Sequence, residues 1–366
     1  MSNESSSYEP YDMKRIILFA AAGLMGLAAC NEPGGLSALP EEGSLVVSVQ
    51  CGGATATKAD TAPIGNDAVL GDIQLFLFSQ DGSLYRRETL SGQETTKSLD
   101  RVKAGSYDLV AVANAPELSA INQKSDLEAT EINLGLNDPE RGFLMVGKTA
   151  SGVTVTGGAA TPARADITLR RHVGRVRLTS VQNGIPQAYG ALKVEYAFLE
   201  NGFGTWNYGG TGDPASYVNY AGRKAGRNTS ADPADYIRTS ADADYAVLTF
   251  QSLARTVALG ATETFNVPFY SLPNKHTAAT DHFSGATSDD ACARLVLKAS
   301  YGDGDAQSWY YPVTIANLER NKTYDVSFLI RGPGSPDPNQ GVSSGNLEVV
   351  ITVEPWGDGG DFNGEF

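Results

Sequence analysis

Apolar residues in this chain recur at every second position, in runs that are short and regularly interrupted. In 72–90 (DIQLFLFSQDGSLYRRETL), Ile73, Leu75 and Leu77 alternate with Gln74, Phe76 and Phe78. Both faces of that segment are largely apolar, as in a strand packed on two sides. Asp81-Gly82 supplies a hairpin turn before the chain returns over 84–90. Segment 105–114 (GSYDLVAVAN) sets Tyr107, Leu109, Ala111 and Ala113 against Asp108, Val110 and Val112. The same period predicts strands at 45–49, 143–146, 153–156, 165–169, 173–181, 192–199, 245–250, 262–270, 293–301, 308–315, 323–330 and 346–356. Pro116 opening 117–124 predicts a short helix, and nothing in the chain asks for a helix of more than about three turns. The 40 glycines and 17 prolines fall between the runs, where strands must turn, and form no repeat.

The pattern restarts after a linker at Thr161-Pro162-Ala163-Arg164. Two groups of short strands predict an all-β chain of two tandem β-sandwiches, an N-terminal one over 30–163 and a C-terminal one over 164–366. With 366 residues and 41% hydrophobic content there is material for two cores. A formal net charge of −14 repels phosphate backbones and argues against nucleic acid as a partner.

Near the start, Lys14-Arg15 precedes an apolar run over 16–27 that ends in Leu27-Ala28-Ala29-Cys30. Basic residues, a short apolar stretch and small residues before a cleavage point make a secretory signal. The run falls short of the roughly 20 residues a membrane-spanning helix needs. A cysteine directly after Leu-Ala-Ala is a bacterial lipoprotein box. It predicts a signal peptide over 13–29, diacylglycerol on the Cys30 thiol, and export with tethering to the outer membrane. Residues 1–12 are polar and read as a non-native or disordered extension ahead of Met13. Of the remaining cysteines, Cys51 and Cys292 either pair in an oxidising compartment or stay as two thiols.

Few residues offer chemistry. His172, His276 and His282 are scattered, CxxC and HxxxH are absent, and no GxSxG nucleophile is present. Asp303 and Asp305 share a turn but fall short of a calcium ligand set. No catalytic residue, metal or cofactor is expected. Arg171, Arg175 and Arg177 alternate with their neighbours, beside Arg170, and predict a solvated strand face. Between 201 and 228, Trp206, Tyr208, Tyr217 and Tyr220 interleave with glycines. Such rings stack on sugars, meet a partner, or pack beneath a long loop.

The lipobox, GSYDLVAVANAP, RRHVGRVRL opening the second half, and LERNKTYDVSFLIRGPGS with LEVVITVEPW at the end resemble Bacteroidota-type fimbrillins, over most of the chain from Cys30 onward. The resemblance implies two transthyretin-like domains and export as a lipoprotein to the cell surface and the fimbrium. In stalk members it further implies that a trypsin-like protease removes the first strand and that the C-terminal segment of the next subunit fills the groove. On this sequence the first strand is 45–49, the cleavage site Lys58-Ala59, and the donor strand 346–356, which follows a Pro-rich hinge at 332–341 and carries Leu347, Val349, Ile351 and Val353 on one face. Stalk fimbrillins usually offer arginine at the cleavage loop, whereas this chain offers Lys58. A chain left uncut would keep its lipid and serve as a non-polymerising anchor or accessory subunit. The expected partners are other fimbrial subunits, the maturation protease, the outer membrane through the lipid, and an unidentified host or bacterial ligand. A glycan-binding outer-membrane lipoprotein is the competing reading, carried by the aromatic segment. A secreted hydrolase lacks any motif.

Overall fold

A computed structural model describes residues 41–52, 69–91, 94–218, 246–276, 292–302, 307–338 and 340–356. In the first half the strands are β1 Glu42–Cys51, β2 Ile73–Ser79, β3 Leu84–Leu90, β4 Thr96–Lys103, β5 Gly105–Ala113, β6 Glu131–Asn133, β7 Met145–Lys148, β8 Val153–Val155 and β9 Ala163–Arg171. The second half adds β10 Gly174–Asn183, β11 Leu192–Glu200, β12 Gly202–Asn207, β13 Ala215–Val218, β14 Phe250–Val257, β15 Thr262–Ser271, β16 Ala293–Tyr301, β17 Gln307–Ile315, β18 Lys322–Ile330 and β19 Leu347–Pro355. Among the described residues two short α-helices accompany them, α1 Lys124–Ala129 and α2 Ala246–Thr249. The fold is all-β, as the period of two requires. No helix among the described residues is long and apolar enough to cross a membrane.

Eight strands form one sheet in the order β3-β2-β5-β7-β9-β1-β4, with β8 also pairing β5. Its strands enclose a core of their own. Leu45, Val47 and Val49 of β1 meet Ile73, Leu75 and Leu77 of β2, Leu109 of β5 and Ile167 of β9. The other face of β2, with Phe76 and Phe78, joins Val110 and Val112 in a second core beneath the small sheet β13-β12-β6. Two-sided burial is why β2 and β5 read as nearly continuous apolar runs. The β2–β3 hairpin closes as expected. Gly82 adopts φ +83, and the Asp81 carboxylate accepts from the Ser83 amide at 2.9 Å and its hydroxyl at 2.6 Å.

A third core lies between two four-stranded sheets, β15-β10-β18-β19 and β14-β11-β16-β17, and fills a sandwich with Val176, Leu178, Leu192, Leu295, Leu297 and Phe328 among others. Both sets of sheets belong to one unit, Pro40–Phe366.

The change of sheet falls at His172–Val173, and three expectations of local structure need correcting. Strand β9 still belongs to the first sheet, because Ala165, Ile167 and Leu169 fill its core while its backbone pairs with β1 and β7. The short helix forms at Lys124–Ala129 instead of 117–124. Gln74 holds the preceding segment, accepting from the Leu118 amide and donating to the Pro116 carbonyl at 2.8 Å each, and Leu84 and Lys124 amides bond across the hairpin turn. The strand expected at 245–250 starts only at Phe250, after α2. Arg171, Arg175 and Arg177 are buried, not solvated. The first two clasp an aromatic ring, and Arg177 pairs with Asp325, its Nε 2.7 Å from Oδ1. Arg170 is the member of that run that faces outward.

Candidate functional site

Strand β1 lies one place in from the edge of the large sheet. It pairs parallel with β9 from Leu45↔Ala163 to Cys51↔Leu169 and antiparallel with β4. Leu45, Val47 and Val49 point inward and are buried, so β1 fills a slot whose walls are two backbone ladders and whose floor is the core. Beyond it, β4 is a polar edge strand that buries only Leu99 and Val102. Cys30, Lys58 and Ala59 lie outside the described residues.

Among the described residues strand β19 is the edge of its sheet and pairs only with β18, from Lys322↔Pro355 to Ile330↔Leu347. An edge strand leaves a row of backbone donors and acceptors open. Leu347 and Val349 pack part-buried on the sandwich core, whereas Ile351 is 38% and Val353 50% exposed, and Val350 on the opposite face is 57% exposed. The four residues expected on one inserting face thus split, because only the first half of β19 overlies the core of its own sheets. The strand carries more apolar surface than its place in this fold uses. The preceding segment is pinned, not loose: the Arg331 amide donates to the Asn346 carbonyl at 2.8 Å, Ser335 exchanges two backbone bonds with Tyr310, and Arg331 pairs with Glu348 at 2.7 Å.

Past β19 the chain plugs itself into the junction of the two sets of sheets. Trp356 is fully buried, with the guanidinium carbons of Arg171 and Arg175 each 4.6 Å from its ring centroid, Tyr270 stacked at 5.7 Å and Phe143 edge-on at 5.5 Å. Its backbone amide donates to the Asn321 carbonyl at 3.0 Å. Asn321 sits at φ 57, a left-handed conformation that asparagine tolerates. Its side-chain amide donates to the Gly52 carbonyl at 2.9 Å, and its side-chain oxygen accepts from the Arg171 amide at 3.2 Å. One residue therefore ties the end of β1, the crossing between sheets and the end of the last strand. The sequence reading missed both residues. The one signal was an aromatic that closes the last strand directly after Pro355.

Trp206 and Tyr208 are also buried, so neither ring is an open stacking platform. Trp206 donates its indole N–H to the Thr211 carbonyl at 3.1 Å and packs 5.4 Å from His172, with the Arg320 guanidinium carbon 5.7 Å from its ring centroid. Tyr217 lies on β13, and its side chain, like all of Tyr220, lies outside the described residues, as do His282, Asp303 and Asp305. Burial and the nearby Arg320 charge pull His172 down to about 3, so the ring is neutral, and its Nε2 donates to the Tyr208 carbonyl at 3.2 Å. Among the described residues no cluster of three or more His, Cys, Asp or Glu could hold a metal ion. Cys51 Sγ lies 4.0 Å from Met145 Sδ in the first sheet, and Cys292 is buried next to β16.

No curated protein matches this chain in sequence. Solved structures match the fold. A candidate cell adhesion protein from Bacteroides eggerthii shares 17% identity over 86% of this chain and 96% of its own, with a TM-score of 0.63. A fimbrilin from Porphyromonas gingivalis shares 16% over 86% and 98%, at 0.59. A candidate adhesion protein from Parabacteroides distasonis shares 18% over 88% and 99%, at 0.56. The family described as fimbrillin-A associated anchor proteins Mfa1 and Mfa2 matches residues 42–358, from the start of β1 to just past Trp356. The chain belongs to that family of fimbrillin-type proteins.

Proposed function

We propose that this protein is a structural and adhesive component of cell-surface fimbriae, not an enzyme, and that it joins a neighbouring subunit by exchange of extended strands. Strand β19 carries this reading. It is an edge strand with an open backbone ladder, and Val350, Ile351 and Val353 stand in solvent although the strand is otherwise built like a core strand. A receiving slot of the right kind is the one β1 now fills. The inward triplet Leu45, Val47, Val49 and the donor triplet Val349, Ile351, Val353 have the same spacing and similar bulk. Three such side chains, at about 1.5–3 kcal/mol each, would supply several kcal/mol to a joint before ordering costs. Export as a lipoprotein on Cys30 and removal of β1 by a trypsin-like protease cutting between Lys58 and Ala59 complete this scheme, with two tandem transthyretin-like domains as its building blocks.

A second reading keeps the same family and omits the cut. The matched family contains anchor proteins, and Lys58 replaces the arginine that stalk members usually offer. An uncut chain keeps its lipid and its β1, holds the fimbrium at the outer membrane, and donates β19 without accepting a strand. The N-terminus and mass of protein sheared from cells separate the two. A start at Ala59 supports the polymerising subunit, and a lipid-bearing Cys30 on every molecule supports the anchor. Fibres formed by a chain lacking 346–366 would overturn strand donation in either reading.

A further inference from the structure

The outer face of the large sheet is only partly covered, and the gap left is a cavity of about 360 Å³. Strand β9 turns Ala165, Ile167 and Leu169 into the core and sends Asp166, Thr168 and Arg170 to this cavity. Val110 of β5 and Val146 of β7 make an apolar floor. Gly147 lies between Val146 and Lys148 with its missing side chain on the core face, where a Cβ would meet the Thr168 carbonyl oxygen at 2.4 Å and Ile167 Cγ2 at 2.8 Å. Glu128 of α1 and Tyr208 after β12 form the far wall, held together by the Gly209 amide donating to the Glu128 carbonyl at 3.1 Å.

The charges around this space are unusual. Arg320 enters from the turn before β18, half-buried, with its guanidinium against Trp206 and the backbone of Gly210. Burial and the neighbouring Arg170 cation both work against its charge. Neither guanidinium, nor the Lys148 ammonium on the same cavity, has an ion-pair partner among the described residues. Two adjacent cations beside an apolar floor, one of them partly desolvated, stabilise an anion placed between them. Asp166 and Glu128 are equally without an ion-pair partner there and can accept only from donors such as hydroxyls. Three cations against two carboxylates leave one net positive charge, on a chain whose total is −14. Such a balance rejects a polyanion and suits a ligand with a single negative charge and several hydroxyls. The volume is that of a small-ligand site.

We propose that this cavity binds a carboxylate-bearing sugar of the uronic or sialic acid kind. Its carboxylate lies between Arg170 and Arg320, its hydroxyls donate to Asp166 and Glu128, and one face of its ring rests on Val110 and Val146. None of its lining residues lies on β1 or β19, although β9, which supplies Asp166, Thr168 and Arg170, is the strand that β1 pairs with, so the test is made on the uncut chain.

Calorimetric titration or saturation-transfer NMR of the full chain tests it, with glucuronic acid and N-acetylneuraminic acid as probes and glucose and acetate as comparators. At least one acidic sugar should bind, with glucose and acetate each weaker by about ten-fold or more. Arg170→Gln, an exposed side chain whose loss leaves the fold intact, should cut acidic-sugar binding by about ten-fold, and Arg320→Met should do the same. Ile351→Asp, which strikes only strand donation, should leave binding unchanged. Absence of binding by both acids up to about 10 mM overturns the proposal. So does acetate binding as tightly as the sugars, which would mark an anion site only, and so does full binding by Arg170→Gln.

Discussion

Trp356 concentrates more of the fold's connections than any other side chain near the C-terminus. Two guanidiniums and two aromatic rings surround it, and its amide rests on Asn321, which also holds Gly52 at the end of β1. Large-to-small changes at such a site cost about 3–5 kcal/mol, through lost transfer energy and an unfilled cavity. Trp356→Ala should therefore lower the urea midpoint of the monomer correspondingly. It should also speed amide exchange along β19 more than along β11 or β16, which the ring does not touch. Equal acceleration in all three strands would mean that the ring steadies the whole molecule and not the last strand. His172 makes a second prediction, in pH. Its folded value of about 3 lies below the ordinary 6.5, so between those limits the unfolded chain binds a proton that the folded chain does not. The stability contributed by neutral His172 is complete above pH 6.5 and falls as pH drops toward 3, by up to about 1.4 kcal/mol per unit. His172→Gln should flatten that part of the denaturation-midpoint profile between pH 7 and pH 4. An unchanged slope would assign the loss to carboxylates instead.

Strands are where the sequence was most legible, because a period of two survives any arrangement of the sheets. β2, β3, β5, β10, β11, β15, β16, β17 and β18 all lie where alternation put them. β4 escaped notice since an edge strand needs only Leu99 and Val102 inside, and a polar run with two apolar residues has no visible period. The arginines misled for a related reason. Alternation reports that Arg171, Arg175 and Arg177 avoid one face, but not that Trp356, some 180 residues later, arrives to cover the other. Partners brought together from distant parts of the chain leave no local trace. The aromatic segment left packing, a partner and sugar stacking all open, and β12 pairs with β6 and lowers Trp206 and Tyr208 into a core, as the packing alternative has it. β19 was legible as a strand and illegible as an edge. Its test follows from its two surroundings. Ile351→Asp places a charge on an exposed position of the monomer and should change unfolding free energy by no more than about 0.5 kcal/mol. In an acceptor slot lined by the present neighbours of Val47 the same carboxylate would be buried without a partner, which costs several kcal/mol. The variant should be monomeric, normally folded and unable to assemble, as read by sedimentation and electron microscopy of surface preparations. Normal fibres would remove β19 from the joint.

At the scale of the whole molecule, the first and last strands are held by one residue, and this gives cleavage a consequence beyond its own loop. Removing β1 takes away Leu45, Val47 and Val49 from the core and the Gly52 carbonyl from the Asn321 side chain. Asn321 then keeps its bonds to the crossing segment and to Trp356 but loses the partner that fixes its amide, so the hold on the C-terminal end weakens as the N-terminal slot opens. A subunit organised this way would become acceptor and donor together, whereas an uncut anchor would keep β1 and the latch while its lipid stays in the membrane. Asn321→Ala separates the two effects, because it breaks the tie without touching either strand. In the uncut chain it should raise exchange of the β19 amides by roughly the loss of one or two buried hydrogen bonds, about 1–3 kcal/mol, and leave β2 and β5 protected. Trypsin digestion followed by mass measurement completes the comparison: cutting after Lys58 should increase β19 exchange in the wild-type chain and add little in Asn321→Ala, where the tie is already gone. If cleavage loosens β19 equally in both, the two ends of the chain act independently, and the junction at Trp356 is a structural plug alone.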